Sequence, residues 1–298
     1  MLPLAKLSKP GSMLLRVIPF LFVLLWSSSF IASKSGLRDL SPLLFVAVRL
    51  ALCAAVLLGA MVVRWESWRP LSGWRWFHCA VAGALLNALT VMPPHVGMLF
   101  VPAAHIALIQ SMTPLLTAVL GVVLLHEPLR QRQWLGLGLG MTGVAIVVGP
   151  AAFGSATHTQ GLALAFLGVI GLVAGTLYFG RFCRDIPLLP GATVQFVSGA
   201  LVSGLNAWLL EKPSAHWTPD AVAAVAWNTV VVSLGGMSLY AFMLARGSAA
   251  RVSANFYLVP GVAALLSWIV LGERLSLAGV AGLAVASAGC ALISLRAP

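Results

Sequence analysis

Residues 103–129 read AAHIALIQSMTPLLTAVLGVVLLHEPL, and residues 249–275 read AARVSANFYLVPGVAALLSWIVLGERL. A shift of 146 residues superposes the two without a gap. It sets Ala103-Ala104 on Ala249-Ala250, Pro114 on Pro260, Ala118 on Ala264, Leu125 on Leu271, Glu127 on Glu273 and Leu129 on Leu275. The same shift carries Gly136 to Gly282, Gly143 to Gly289 and Ala145 to Ala291. A shared apolar bias would not align a proline and a glutamate, because both are rare within or beside apolar helices. The chain therefore reads as an internal duplication: a first repeat at 1–149, a second at 160–298, and a linker at 150–159.

Working outward, the 298 residues are 60% hydrophobic and 8% charged, with a mean hydropathy of +0.99. Soluble domains average about 25% charged residues, so this composition excludes an ordinary soluble enzyme, a disordered chain and a nucleic-acid binder. Apolar runs fall near 14–33, 42–63, 74–100, 102–125, 132–149, 160–181, 191–210, 220–245, 249–271 and 276–295. A helix needs about 20 apolar residues to cross a bilayer, whereas barrel strands would give alternating segments of about ten. The expected fold class is an all-α polytopic membrane protein with ten transmembrane helices. The first run follows Lys6, Lys9 and Arg16 as a signal peptide would, but Trp26-Ser27-Ser28-Ser29-Phe30 offers no small-residue cleavage site, so it reads as an uncleaved first helix.

The loops test this count. With a cytoplasmic N-terminus, thirteen basic residues fall on the inside, among them Lys6, Arg64, Arg130, Arg184, Arg246 and Arg296. Four fall outside, namely Lys34, Arg38, Lys212 and Arg274. That asymmetry obeys the positive-inside rule, places both termini in the cytoplasm and accounts for the net charge of +11 without nucleic acid. Five helices per repeat is an odd number, so the two copies insert in opposite directions, related by a pseudo-two-fold axis in the membrane plane. Secondary transporters are built this way, with the substrate near the bilayer midplane between the repeats.

Several stretches carry a resemblance: Leu25-Trp26-Ser27-Ser28-Ser29-Phe30, Arg49, and Ala104…Pro114…Glu127-Pro128-Leu129…Gly136…Gly143, with its echo Ala250…Pro260…Glu273-Arg274-Leu275…Gly282…Gly289. On these the chain resembles, over nearly its whole length, the drug/metabolite transporter superfamily of ten-helix, two-EamA-repeat type. In length and helix count it is similar to the aromatic amino acid exporters of the YddG type. The resemblance implies a multi-pass protein of the bacterial inner membrane. It also implies a central cavity lined by the first, third, fourth, sixth, eighth and ninth helices, with the fifth and tenth at the periphery.

Pro114 and Pro260 each lie eleven residues after the paired alanines, about 16 Å into their spans at 1.5 Å per residue. Both should kink their helices and serve as hinges for alternating access. Glu127 and Glu273 follow the last apolar residue of one helix and open the next, which fits N-terminal capping. Arg49 is the one Lys, Arg, Asp or Glu inside a span, and its distance from the outer end favours a structural role. With no acid mid-membrane and no cluster of core cations, strongly charged cargo is disfavoured and neutral or zwitterionic cargo fits.

The core offers aromatic and neutral polar groups for such cargo. The expected substrate-binding residues are Trp26, Ser27 and Ser29 in the first helix, Asn87 in the third, Gln110 and Ser111 in the fourth, Thr176 and Tyr178 in the sixth, Ser238 and Tyr240 in the eighth, and Ser253, Asn255 and Tyr257 in the ninth. Aromatic side chains would stack on the rings while hydroxyls and amides receive the ammonium and carboxylate. Thr90 and the histidines His95 and His105 are further polar groups of the third and fourth helices. The same hydroxyls and amides also serve interhelical bonding. Cys53, Cys79, Cys183 and Cys290 have no metal spacing and read as buried thiols. No catalytic residue, metal or cofactor is expected.

The reading is thus an inner-membrane exporter of neutral or zwitterionic metabolites, aromatic and hydrophobic amino acids foremost. Its partners are a small-molecule substrate and the lipid bilayer, and the chain is a monomer or a homodimer through the glycines of the fifth and tenth helices. Lipophilic cations, purines and sugars are alternative cargoes. An intramembrane enzyme is less favoured, because the core lacks acids and Gly235-Gly236-Met237-Ser238 alone names no nucleophile.

Overall fold

A computed structural model describes residues 12–63, 73–101, 103–125, 130–152, 156–247, 252–271 and 277–294. Glu127 and Glu273, with their expected capping role, lie outside the described residues. The helical regions are α1 (Ser12–Gly36), α2 (Pro42–Val63), α3 (Trp74–Gly97), a broken α4 (Ala103–Gln110 and Thr113–Leu125), α5 (Gln131–Ala152), α6 (Ala156–Phe182), α7 (Leu188–Leu210), α8 (Pro219–Arg246), α9 (a 3₁₀ turn Ala254–Tyr257 leading into Val259–Leu271) and α10 (Leu277–Ser294). Among the described residues, six helices are long and apolar enough to cross a membrane: the Val17–Gly36 part of α1, α2, α3, the Thr159–Phe182 part of α6, α7 and α8. The protein is an all-α membrane protein. Its outer faces carry exposed Val56, Val62, Leu201, Leu205 and Trp208, as lipid contact requires. In hydrocarbon only helices or closed barrels satisfy every backbone group internally, which is why uninterrupted apolar runs become helices here.

Among the described residues, the π and broken segments of α3, α4, α8 and α9 depart from regular α-helix in step with the duplication. The π segment Ala84–Leu89 of α3, shifted by 146, falls at 230–235, inside the π segment Asn228–Gly236 of α8. The gap between the two parts of α4 at Ser111-Met112 likewise maps onto Tyr257-Leu258 of α9. Pro114 and Pro260 thus each sit in the first turn of the second segment, where the missing N–H costs least. Pro114 cannot donate to the Gln110 carbonyl four residues back, and Thr113 Oγ1 donates to that carbonyl instead. The sequence predicts kinks at these prolines; the structure replaces a kink with a short break just before each one.

Small residues set the packing. The glycine pair Gly136 and Gly140 on α5 faces α10, where a Cβ on Gly289 would come within 2.5 Å of the Gly136 carbonyl oxygen. Gly171 and Gly175 on α6 back onto Leu89, Thr90 and Leu86 of α3. Both glycine motifs are therefore occupied by helix contacts within the chain.

At one end of the bundle the α1–α2 and α7–α8 loops are tied together. Ser41 N–H donates to Ser214 O at 2.9 Å, and His216 N–H donates to Asp39 O at 2.9 Å. The Thr218 hydroxyl donates to Asp39 Oδ2 at 2.6 Å and accepts from Ala221 N–H at 3.2 Å as the N-cap of α8. Glu211 accepts from the Leu43 and Leu44 N–H groups at 3.2 and 2.9 Å, capping α2 from a distant loop. Arg184 and Arg246 lie at the opposite end of their helices.

Candidate functional site

Two cavities lie along the bundle interior. The smaller, of about 30 Å³, has room for about one water. Its walls include Trp26 and Ser29 from α1, Arg49 from α2, Thr90 and His95 from α3, and Gln110 from α4. Trp26 Nε1–H donates to Gln110 Oε1 at 3.3 Å, and Ser29 Oγ–H donates to Asn228 Oδ1 at 2.8 Å. The π segments supply part of this geometry. In α8 the wide turn brings Ser233 to Arg49, whose Nε donates to Ser233 Oγ at 2.7 Å. In α3 the Leu85 carbonyl accepts from both the Thr90 N–H, at 3.0 Å, and the Thr90 hydroxyl, at 2.9 Å.

His95 is buried beside this cavity with its ring stacked on Phe45 at 5.7 Å. Its Nδ1 lies 2.8 Å from the Val91 carbonyl, which can only accept, so Nδ1 carries the proton. Its Nε2 lies 3.0 Å from Ser33 Oγ. Both nitrogens are therefore engaged.

The larger cavity holds about 230 Å³ and lies among α3, α6, α7 and α8. Leu86, Phe179, Phe196 and Leu244 make it mostly apolar, while Asn87, Gln195, Ser238 and Tyr240 add polar groups. The Asn87 Nδ2 amide is buried without a hydrogen-bond partner. Exposed Arg184 and Arg246 also border the cavity. Arg184 Nε donates to Ala245 O at 3.3 Å, and the Arg246 guanidinium lies 3.7 Å over the Phe242 ring. Cys183 lines this cavity next to Cys79, and the hydrogen bond with Cys79 together with burial pushes the Cys183 thiol well above its usual range.

An aromatic cluster joins the two cavities. Phe22 contacts Trp26 at 5.5 Å, Tyr240 at 5.4 Å and Phe256 at 5.4 Å between ring centroids. Trp26 meets Phe256 edge-on at 5.2 Å. Because Trp26 walls the small cavity and Tyr240 the large one, the cluster is the partition between them. Tyr240 is anchored by its hydroxyl, 2.6 Å from Thr176 Oγ1. Trp26 and Tyr240 thus give each cavity an aromatic wall, with Phe22 and Phe256 fully buried behind them, which suits an aromatic or aliphatic side chain.

The structure gathers some sequence-predicted residues and separates others. Trp26, Ser29 and Gln110 meet at the small cavity; Asn87, Ser238 and Tyr240 line the large one, with Thr176 behind Tyr240. Ser27 is fully buried and donates to the Val259 carbonyl at the α9 break at 3.2 Å. Ser111 is buried in the α4 break, Ser253 opens the 3₁₀ turn of α9, and Asn255 bonds back to Val252 O at 2.8 Å. Tyr178 turns to the His78 side, with its hydroxyl 2.7 Å from Nδ1. Tyr257 packs against α5, its hydroxyl 3.5 Å from Leu137 O and its ring against Gly140. The 3₁₀ turn explains this placement, since it breaks the regular α spacing that would set Tyr257 and Ser253 on one cavity-facing stripe. Arg49, Thr90 and His95 border the site without belonging to the expected binding set, and Phe22 and Phe256 are fully buried behind its rings. Arg49 is marked in the sequence as the lone ion of a span; phenylalanines in apolar helices carry no such signal.

Known proteins share this architecture. A solved crystal structure matches with a TM-score of 0.75 at 20% identity, covering 94% of this chain and 96% of that one. The uncharacterized transporter YvbV of Bacillus subtilis is 26% identical over 92% of this chain and 89% of its own length. The uncharacterized inner membrane transporter YedA of Escherichia coli is 23% identical over 86% of this chain and 83% of its own length. A probable terminal-alkyne amino-acid exporter of Streptantibioticus cattleyicolor is 28% identical over 93% of this chain and 92% of its own length. The model of the EamA-like transporter family matches residues 14–149 and again 159–295. The chain is thus a multi-pass membrane transporter rather than an enzyme, and it belongs to the EamA-like transporter family.

Proposed function

We propose that this protein exports neutral or zwitterionic small metabolites across a bacterial inner membrane, with aromatic and hydrophobic amino acids as its cargo. The carrying observation is the aromatic partition of Phe22, Trp26, Tyr240 and Phe256, flanked on both sides by cavities that carry hydrogen-bonding groups. Such a site receives an apolar ring and the polar ends of an amino acid together. The similarity to a probable amino-acid exporter supports the same reading.

In this reading ten spans form two inverted repeats, 1–149 and 160–298, joined at 150–159, with both termini cytoplasmic. The chain is of the YddG type and works as a monomer or homodimer. Trp26, Ser29, Asn87, Gln110, Ser238 and Tyr240 contact cargo, while Thr176 holds Tyr240. Ser27, Ser111, Ser253, Asn255, Tyr178 and Tyr257 shape the breaks and helix contacts around them. Pro114 and Pro260 are the hinges about which the repeats rock.

Reconstituted proteoliposomes test the proposal. Labelled phenylalanine, tryptophan and leucine should cross faster than in protein-free vesicles, while tetraphenylphosphonium, adenine and glucose should not. Flux of the cation, purine or sugar alone would replace the amino-acid reading with that cargo.

A further inference from the structure

We propose that Arg49 is the receptor for a carboxylate, so that the site demands cargo bearing one. The inference deepens the proposed function and rests on it. Arg49 lies seven residues past Pro42, which begins α2, about 10 Å along the helix. It is only 4% exposed and walls the small cavity. A buried ion is strongly disfavoured unless it is paired, and an intramembrane one marks a ligand path by default.

Among the described residues its surroundings supply no counter-charge. Each of the seven acidic residues of the sequence lies at or beyond the end of an apolar run. Among the described residues the bonded partner of Arg49 is a hydroxyl, Ser233 Oγ, reached through Nε. That bond uses one of the five donors of the guanidinium. His95, the other titratable ring at the cavity, is committed on both nitrogens to Val91 O and Ser33 Oγ. The nearby Cys53 thiol donates to Thr229 O at 3.6 Å. Among the described residues, the Arg49 charge thus faces the cavity with no negative one opposite it.

The Thr90 and Ser29 hydroxyls and the Trp26 indole N–H on the same walls already donate to Leu85 O, Asn228 Oδ1 and Gln110 Oε1, so the guanidinium is the group that holds donors for a carboxylate. A carboxylate accepts from a guanidinium fork through two oxygens, a geometry specific to planar anions. The apolar remainder of such a molecule would lie against Trp26, Phe30 and Met98 on the same walls. A lipophilic cation would meet Arg49 as a like charge, and an uncharged purine or sugar would leave it unpaired.

Two measurements test this: phenylalanine flux in proteoliposomes and thermal shift of the purified protein. Competitors are 3-phenylpropionate, which keeps the carboxylate and lacks the amine, and phenylalaninamide and phenethylamine, which lack the carboxylate. Phenylpropionate should inhibit flux and raise the Tm; the other two should be at least about tenfold weaker. Arg49→Gln should lower flux at least about tenfold and abolish the shift by phenylpropionate, while Arg49→Lys should keep part of both. A purely structural arginine would change stability without altering the ranking of competitors. If Arg49→Gln fails to fold, the wild-type series decides by itself. Equal inhibition by phenylalaninamide or phenethylamine overturns the inference and leaves transport standing. An absence of both flux and thermal shift for every solute overturns the amino-acid reading along with it.

Discussion

Thr176 Oγ1 and Tyr240 Oη lie 2.6 Å apart and join α6 to α8 at the aromatic partition. Thr176 also donates to its own Leu172 carbonyl at 2.6 Å, so in the pair the tyrosine hydroxyl is the donor. Tyr240→Phe removes that bond and should lower stability by about 1 kcal/mol. Phe22→Ala empties the centre of the cluster and should cost about 3–5 kcal/mol. Thermal unfolding in detergent reads both, and equal effects would show that the hydroxyl, rather than ring packing, holds the partition.

The glycines of α2 and α3 should respond oppositely to the same change. A Cβ on Gly83 would fall inside the Gln195 backbone of α7, whereas one on Gly59 meets nothing within 4 Å. Gly59→Ala should be neutral or stabilise by up to about 1 kcal/mol through helix propensity. Gly83→Ala should force α3 and α7 apart and destabilise by about 1–3 kcal/mol. Tyr257→Ala belongs with the second class: the ring is fully buried against α5, so its loss should lower Tm as well as flux.

The breaks before Pro114 and Pro260 should be functional. Pro114→Ala restores an N–H that can take the Gln110 carbonyl from Thr113 Oγ1 and close the α4 gap. Stability should rise or change by less than about 1 kcal/mol, while flux falls several-fold because the broken helix no longer bends. Pro260→Ala should behave alike. Flux retained in both variants would remove the hinges from the mechanism.

The loop pair that holds Asp39 and Thr218 together closes one end of the bundle. Thr218→Ala removes the Asp39 bond and the N-cap of α8 together and should cost about 1 kcal/mol. Glu211→Gln weakens the capping of α2 by about 0.3–1 kcal/mol. Both variants should speed thiol labelling of a cysteine at Ser29, deep to this latch. In right-side-out vesicles Ser214→Cys should label from the face opposite to Arg184→Cys, since the two positions terminate α7 at its two ends. Labelling from one face would contradict the span count.

Sequence alone determined the membrane character, the duplication and the family resemblance, because hydropathy and a 146-residue echo are properties of residue order. It also marked Trp26, Gln110 and Tyr240, since polar or amphipathic groups inside apolar runs need a local purpose. Tertiary structure alone decided which of these side chains meet. A π turn shifts helical phase, and Asn228–Gly236 rotates Ser233 onto Arg49 in a way the ideal 3.6-residue period does not encode. The 3₁₀ turn at Ala254–Tyr257 likewise sends Tyr257 to α5. Periodicity reports which face a residue occupies only while the helix stays regular, and this protein breaks regularity where its cavities are built.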